Sequence, residues 1–243
     1  LARPGFLGWL LFRFFFSRKH VRPDDLEALQ GYAEQGYRVV YVASHKHIYN
    51  ALWLNGLLRA LGLPLARMVT GVITFLFMPL WRKTRFLFGG RAKGPLEDRA
   101  RRLLADGHPL LVFLRRGRRS GRAGICPGSA DALRAALQVA ADGDSKVVFV
   151  PLSLFWGHAP LRPDSGGTRW LQRFLGTAED PGAVRSFWQL IYHFRVQRLR
   201  LGPPLHLDEF LATRPDAPLD RQERRLRYEL ATRIERVRRI LQG

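Results

Sequence analysis

Three short apolar runs, separated by segments of helical period, dominate the pattern of the chain. The runs are Tyr37–Ala43, Pro109–Leu114 and Val147–Leu154, and their β-branched and aromatic residues are typical of buried strands. Ser129 is the predicted N-cap of the helix between the second and third of these runs. The segments predicted as helices, from their apolar faces and the Pro, Asp and Gly residues at their ends, are 22–35, 48–61, 95–105 and 130–141. This alternation predicts an α/β fold with a mostly parallel central sheet flanked by helices.

The pattern after the third strand is less regular. Residues 156–181 are predicted to form a long loop and residues 183–193 a short helix, while Phe194–Leu201 alternates apolar and basic residues as an edge strand does. From Leu219 to Leu241 apolar residues recur at helical spacing, with arginines between them. We therefore expect a basic C-terminal helix after the sheet.

The charge of the chain is strongly positive, with 40 basic against 20 acidic residues and a formal net charge of +20. Most of the basic residues are arginines, which bind phosphate through paired hydrogen bonds; a bias in base composition would also favour arginine over lysine. The net charge itself predicts an anionic partner. The single cysteine, Cys126, excludes an internal disulfide and is typical of a reducing compartment.

Two apolar segments lie next to basic clusters. Gly5–Phe16 precedes the basic run 17–20, and Met68–Trp81 precedes the basic run 82–85. Neither reaches the roughly 20 residues that span a bilayer, so each is predicted either to lie in the membrane interface or to form a core helix. Because the chain begins with Leu1, we expect a fragment of a longer protein and do not interpret the first segment as a signal peptide. The expected division is an interfacial segment 1–21, an α/β domain 22–205 and a basic C-terminal helix 206–243.

The turn after the first strand carries polar side chains that could support catalysis. His45 and His47 follow the strand directly, and Asn50 comes shortly after them. A histidine in this place can act as a general base if a carboxylate orients its ring and stabilises the imidazolium. The turn contains no carboxylate, since Asn50 occupies the nearest suitable place. Two histidines are too few for a zinc site, so we expect neither a metal nor another cofactor.

Residues Tyr41–Leu54 resemble the first motif of the glycerolipid acyltransferases, in particular the bacterial glycerol-3-phosphate acyltransferases. In that family a strand ends in His, four further residues and Asp. The resemblance implies that His45 is the base that deprotonates the glycerol hydroxyl attacking an acyl thioester. It places Asn50 in the position of the family's Asp.

The second and fourth motifs of the family have counterparts further along the chain. Phe86–Arg91 resembles the second motif, which implies that Arg91 helps to hold the glycerol phosphate. Val150–Leu154 resembles the fourth motif, a strand whose proline, here Pro151, lines the acyl channel. Together the motifs occur in the family's order between Val39 and Leu154.

The third motif is normally Phe, any residue, Glu, Gly, any residue, Arg. Val112–Arg118 resembles it, with Gly117 and Arg118 in matching positions and Arg115 in the position of the glutamate. As residues alone, the run 115–122 contains five arginines and two glycines after a strand, which is typical of an anion-binding loop. A solvated loop is the alternative.

The resemblance implies acyl transfer from acyl-acyl-carrier-protein or acyl-CoA to glycerol 3-phosphate or lysophosphatidate, in phospholipid synthesis. The enzyme would be peripheral, on the cytoplasmic face of the inner membrane, with an anionic membrane surface as a further partner. Asn50 and Arg115 favour an alternative, a catalytically inactive copy of the fold, such as an amino-terminal region, that binds anionic lipid or a catalytic partner. Asp98 or Asp131 could supply the missing acid.

A nucleic-acid-binding module is a third alternative on charge alone, but the sequence has no helix-turn-helix, zinc knuckle or aromatic RNA-binding motif, so nucleic acid is not an expected partner.

Overall fold

The structure is a computed structural model of the chain. It describes residues 22–45, 48–69, 95–115, 126, 128–143, 146–155 and 198–242. The first apolar segment, Gly5–Phe16, and the predicted loop and helix between 156 and 193 lie outside the described residues. Of the second apolar segment, Met68 and Val69 are described, and both are buried.

The described strands form one five-stranded sheet with the order β2-β1-β3-β4, and β5 pairs with β3 beside β4. β1 lies between β2 and β3 and is parallel to both, whereas β4 and β5 run antiparallel to β3. The mostly parallel sheet expected from the alternating pattern is thereby confirmed. The strands are β1 (Arg38–His45), β2 (Leu110–Arg115), β3 (Val147–Phe155), β4 (Arg198–Leu201) and β5 (Leu205–His206).

Six helices are described, and four of them match the helices predicted before β3 to within about two residues at either end. These four helices are α1 (Pro23–Glu34), α2 (Ile48–Ala60), α3 (Leu96–Ala105) and α4 (Ser129–Ala141). Two more follow the sheet, α5 (Leu207–Ala212) and α6 (Leu219–Gln242). No helix in the described part of the chain has both the length and the apolar character needed to cross a membrane.

The helices cover the two faces of the sheet, because side chains along β1 alternate between two apolar clusters. Val40 and Val42 pack with residues of α3, α4, α5 and α6 on one face. Tyr41 and Ala43 pack with residues of α1 and α2 on the other. Successive side chains of a strand point to opposite faces, so a strand that is apolar throughout requires cover on both sides. The sheet therefore separates α2 from α3 and α4.

The start of α4 differs from the expectation that Ser129 is its N-cap. Gly128 holds the N-cap position with φ of +79°, in the left-handed region that glycine adopts most easily. Ser129 becomes the first helical residue, is 3% exposed, and its Oγ makes no hydrogen bond to the described residues. The cap falls one residue earlier because the turn into the helix requires a left-handed residue.

Pro151 lies where the outer edge of β3 passes from one partner strand to the next. β4 pairs with residues 152–155 of β3, and β5 pairs with Val148 and Phe149. Between these two stretches the N–H of Gly202 donates to the Pro151 carbonyl at 2.8 Å. A proline, which has no N–H to give to a ladder, is tolerated at such an interruption.

Candidate functional site

The carboxyl ends of β1 and β2 bring two of the predicted site residues together. The register of the parallel pair places His45 opposite Arg115, following Ala43 opposite Phe113. Paired strands lie about 4.8 Å apart, so the two backbones are direct neighbours at this edge. The Arg115 side chain is exposed at the end of its strand. The backbone of His45 and the side chain of Arg115 therefore lie at the same edge of the sheet, the carboxyl edge, where parallel sheets bind their ligands.

Asn50 lies in the first turn of a helix, within the helix predicted for residues 48–61. His45 is the last residue of β1, and Asn50 is the third residue of α2, which begins at Ile48. The side chains of both residues are outside the described part of the structure. The backbone places the start of α2 at the same sheet edge as Arg115, and the partial positive charge of a helix N-terminus favours an anion there.

The other predicted site residues are only partly described. Arg91, Gly117 and Arg118 lie outside the described residues. Pro151 is buried in β3 opposite Val42 of β1, back from the edge that carries His45.

The loops that follow β1 and β2 contain no acidic residues. The sequence has no Asp or Glu between Glu34 and Glu97, which covers β1, α2 and the segment after it, and none between Asp106 and Asp131. The loops that follow β1 and β2 therefore carry only basic charge. A histidine at this edge has no carboxylate from these segments to stabilise its imidazolium.

The two acids considered as replacements belong to helices on the opposite face of the sheet from α2. Asp131 is in the first turn of α4. Asp98 is in the first turn of α3, next to Glu97, whose Oε1 accepts a hydrogen bond from Gln138 Nε2 at 2.5 Å. This bond places the start of α3 beside the last third of α4, away from the carboxyl edge of β2.

The part of β1 behind the site is buried among apolar side chains. Tyr41, on the α2 side of β1, is 3% exposed, and burial raises the pKa of its phenol above the ordinary value. Leu54 and Leu58 of α2 pack in the same cluster and are 1% and 0% exposed. Charges at the edge are therefore backed by apolar packing, which strengthens their field on a bound ion.

Comparison with known protein families decides the relationship. The model of the family described as glycerol-3-phosphate acyltransferase PlsB N-terminal domain matches residues 6–243. The chain belongs to this family. The resemblance recognised from the sequence motifs is thereby confirmed at the level of the family. A search of curated proteins finds no match to the chain.

Membership of the PlsB N-terminal domain family places the chain in the context of a glycerol-3-phosphate acyltransferase, and so of phospholipid biosynthesis. Within the domain, the sequence motifs identified His45 and Arg115 separately but not as neighbours. The sequence signal that could have predicted this neighbourhood is the parallel β-α-β pattern, because it brings the carboxyl ends of the strands to one edge of the sheet.

A small cavity lies near β2, at the start of α4. Cys126, whose N–H donates to the Leu114 carbonyl at 3.3 Å, lines it together with Phe113, Met68 and Ser129. Its volume of about 20 Å³ is room for about one water molecule.

Proposed function

We propose that this PlsB N-terminal domain is an accessory domain of a glycerol-3-phosphate acyltransferase, one that binds a phosphate-bearing molecule at the carboxyl edge of its sheet and does not itself transfer the acyl group. The observation that carries the proposal is the register pair of His45 and Arg115, at the ends of two strands whose following loops contain no acid. The phosphate would belong to glycerol 3-phosphate or lysophosphatidate.

The charge pattern supports binding over catalysis. A His base in an acyltransferase works with a carboxylate, and loss of an orienting carboxylate in a comparable site costs about 10⁴ in rate. Asn50 keeps the hydrogen-bonding shape of an acid without its charge, and Arg115 replaces the negative charge expected from the motif by a positive one. Both changes strengthen the attraction for phosphate, because they remove negative charge from the edge.

A second candidate is acyl transfer by this domain, from acyl-acyl-carrier-protein or acyl-CoA. It is favoured by one observation, the position of His45 as the final residue of a buried strand that ends at the ligand edge. The two candidates differ in the outcome of the same assay. The side of the membrane on which either would act stays a prediction.

Calorimetric titration of the chain with glycerol 3-phosphate, and separately with inorganic phosphate, tests the proposal. We expect binding of both, and Arg115→Gln should weaken it about tenfold or more, since a hydrogen bond to a charged group contributes about 1.5–3 kcal/mol. Arg102→Gln is the matched control, because Arg102 is an exposed arginine of α3 on the other side of the sheet. Tighter binding of glycerol 3-phosphate than of phosphate would show that the glycerol is also recognised.

An acyl-transfer assay on the same preparation separates the two candidates. The proposal predicts no transfer above background from either acyl donor and no effect of His45→Ala on that background. Transfer that His45→Ala abolishes would establish the second candidate instead. Absence of phosphate binding, or equal loss in Arg115→Gln and Arg102→Gln, would refute the anion site.

A further inference from the structure

Helix α6 packs against the described part of the domain with one side. Leu226, Leu230 and Ile234 are 0%, 0% and 4% exposed and belong to the cluster that covers β1 and α4. The side chain of Arg233 donates to the carbonyl groups of Pro203 and Pro204, which fixes the helix to the turn between β4 and β5. The orientation of α6 on the domain is therefore determined, and so is the face that it turns to solvent.

The solvent face of α6 carries a row of exposed side chains along its length. Arg221, Tyr228 and Arg239 are exposed, and they are separated by about two and about three turns of a helix with 3.6 residues per turn. Tyr228 is 74% exposed, and Ile240, next to Arg239, is 75% exposed. Tyr228 lies within the row of exposed arginines, whereas Ile240 lies about 120° from it around the helix.

The charge of this face is predominantly positive. The exposed arginines of the helix are Arg221, Arg224, Arg236, Arg238 and Arg239. Among the acids of α6, Glu223 is buried against Arg227 and Glu229 is paired with Arg233. Asp220 is paired with Arg134 of α4 at 2.6 Å. Glu235 is the exposed acid on this side of the helix, and it lies 4.0 Å from Arg239.

We infer that the exposed face of α6 is a docking surface for the headgroup region of an anionic phospholipid bilayer. A helix of 24 residues is about 36 Å long and presents one straight row, which matches a flat, extended anionic surface. Arginines bind the lipid phosphates, while the ring of Tyr228, which lies among them, enters the interface between headgroups and acyl chains. The inference does not depend on phosphate binding at His45 and Arg115, because α6 lies on the other face of the sheet from α2.

Vesicle flotation of the purified chain tests the surface. The chain should float with vesicles of phosphatidylcholine and phosphatidylglycerol but not with phosphatidylcholine alone, and high salt should release it. Each exposed arginine near an anionic bilayer contributes about a fivefold change in partitioning. The double variant Arg224→Gln/Arg239→Gln should therefore lower the partition coefficient by about 25-fold.

The matched control removes two charges elsewhere. Arg22→Gln/Arg102→Gln takes the same charge from exposed arginines of other elements and should change partitioning by less than about twofold if α6 is the contact, since the attraction falls off within a Debye length. Tyr228→Ala should weaken flotation without any change in charge. Equal loss in both double variants, or flotation that none of these changes affects, would overturn the inference. So would an absence of flotation, including the case in which the chain binds a soluble acidic protein instead.

Discussion

Gly202 is a position at which the packing of three elements excludes a side chain. A Cβ there would lie 3.0 Å from Pro151 Cβ and 3.0 Å from Val237 Cγ2. The first contact is to β3 and the second to α6. The glycine is needed for this close approach, which brings the turn after β4 within hydrogen-bonding distance of the Pro151 carbonyl.

We expect Gly202→Ala to lower the free energy of unfolding by about 1–3 kcal/mol, because both neighbours are packed and must shift. Gly31→Ala is the control: a Cβ at position 31, within α1, meets only the end of the Gln35 side chain at 4.0 Å. It should raise stability by about 0.5–1 kcal/mol, since alanine favours a helix over glycine. Urea denaturation of both variants checks the opposite signs, and a destabilised Gly31→Ala with an unchanged Gly202→Ala would contradict the packing argument.

Asp25 connects α1 to β4 and gives a pH-dependent prediction. Burial raises the pKa of its carboxyl above 3.8, although the Leu201 N–H and Arg200 act in the opposite direction. The folded state therefore binds this proton more tightly than the unfolded state, and its stabilising effect is lost as pH rises from 3.8 through the higher folded pKa. Asp25→Asn cannot ionise but can still accept the bond from Leu201.

The stability of Asp25→Asn relative to the unchanged chain should therefore increase from acid to neutral pH. Thermal unfolding at a series of pH values on either side of 3.8 measures this difference. A difference that is constant with pH would show that Asp25 ionises as easily in the folded state as in the unfolded one, and a difference that decreases toward neutral pH would show that it ionises more easily.

At the scale of elements, α6 is integrated into the domain through the same apolar cluster as the sheet. Its buried positions Leu226, Leu230 and Ile234 contact a face shared with α4. Half of its exposed positions are arginine. The helix thus has one face specified by packing and one that is available for a partner.

Leu230→Ala should destabilise the chain by about 2–5 kcal/mol, because it leaves a cavity at a position that is 0% exposed. Tyr228→Ala, two residues earlier on the same helix, should change stability by less than about 0.5 kcal/mol, since Tyr228 is 74% exposed. Chemical denaturation compares the two. Similar effects of both substitutions would contradict the placement of α6.

At the scale of the whole molecule, one sheet supports both apolar clusters. Val39 and Val40 are consecutive in β1 and belong to different clusters. Loss of either layer of helices would expose the apolar side chains of the same strands. The described core should therefore unfold as one unit.

We expect Leu58→Ala on α2 and Leu133→Ala on α4 to shift the same thermal transition to lower temperature. Both residues are 0% exposed, and they lie on opposite faces of the sheet. Circular dichroism and tryptophan fluorescence should give coincident curves, as in two-state unfolding. Two separate transitions, each affected by only one substitution, would contradict a shared core.

The pattern of the sequence predicted the helices and strands before residue 155 well, because periodicity and end signals are local properties of the chain. It was less accurate at boundaries set by packing. β1 continues to His45 because its last residues still pair with β2, and the start of α4 moved to Gly128 because of a backbone angle that no apolar pattern records. For the site, the motifs supplied the residue types but not their arrangement.

The sequence by itself therefore determined the class of fold, the positive charge and the lack of acids around the first turn. Only the tertiary structure decided that His45 and Arg115 are register partners, that Asp98 and Asp131 belong to the far face, and which face of α6 is exposed. The physical reason is that composition and period act over a few residues, whereas strand register and the side on which a helix packs depend on contacts between residues distant along the chain.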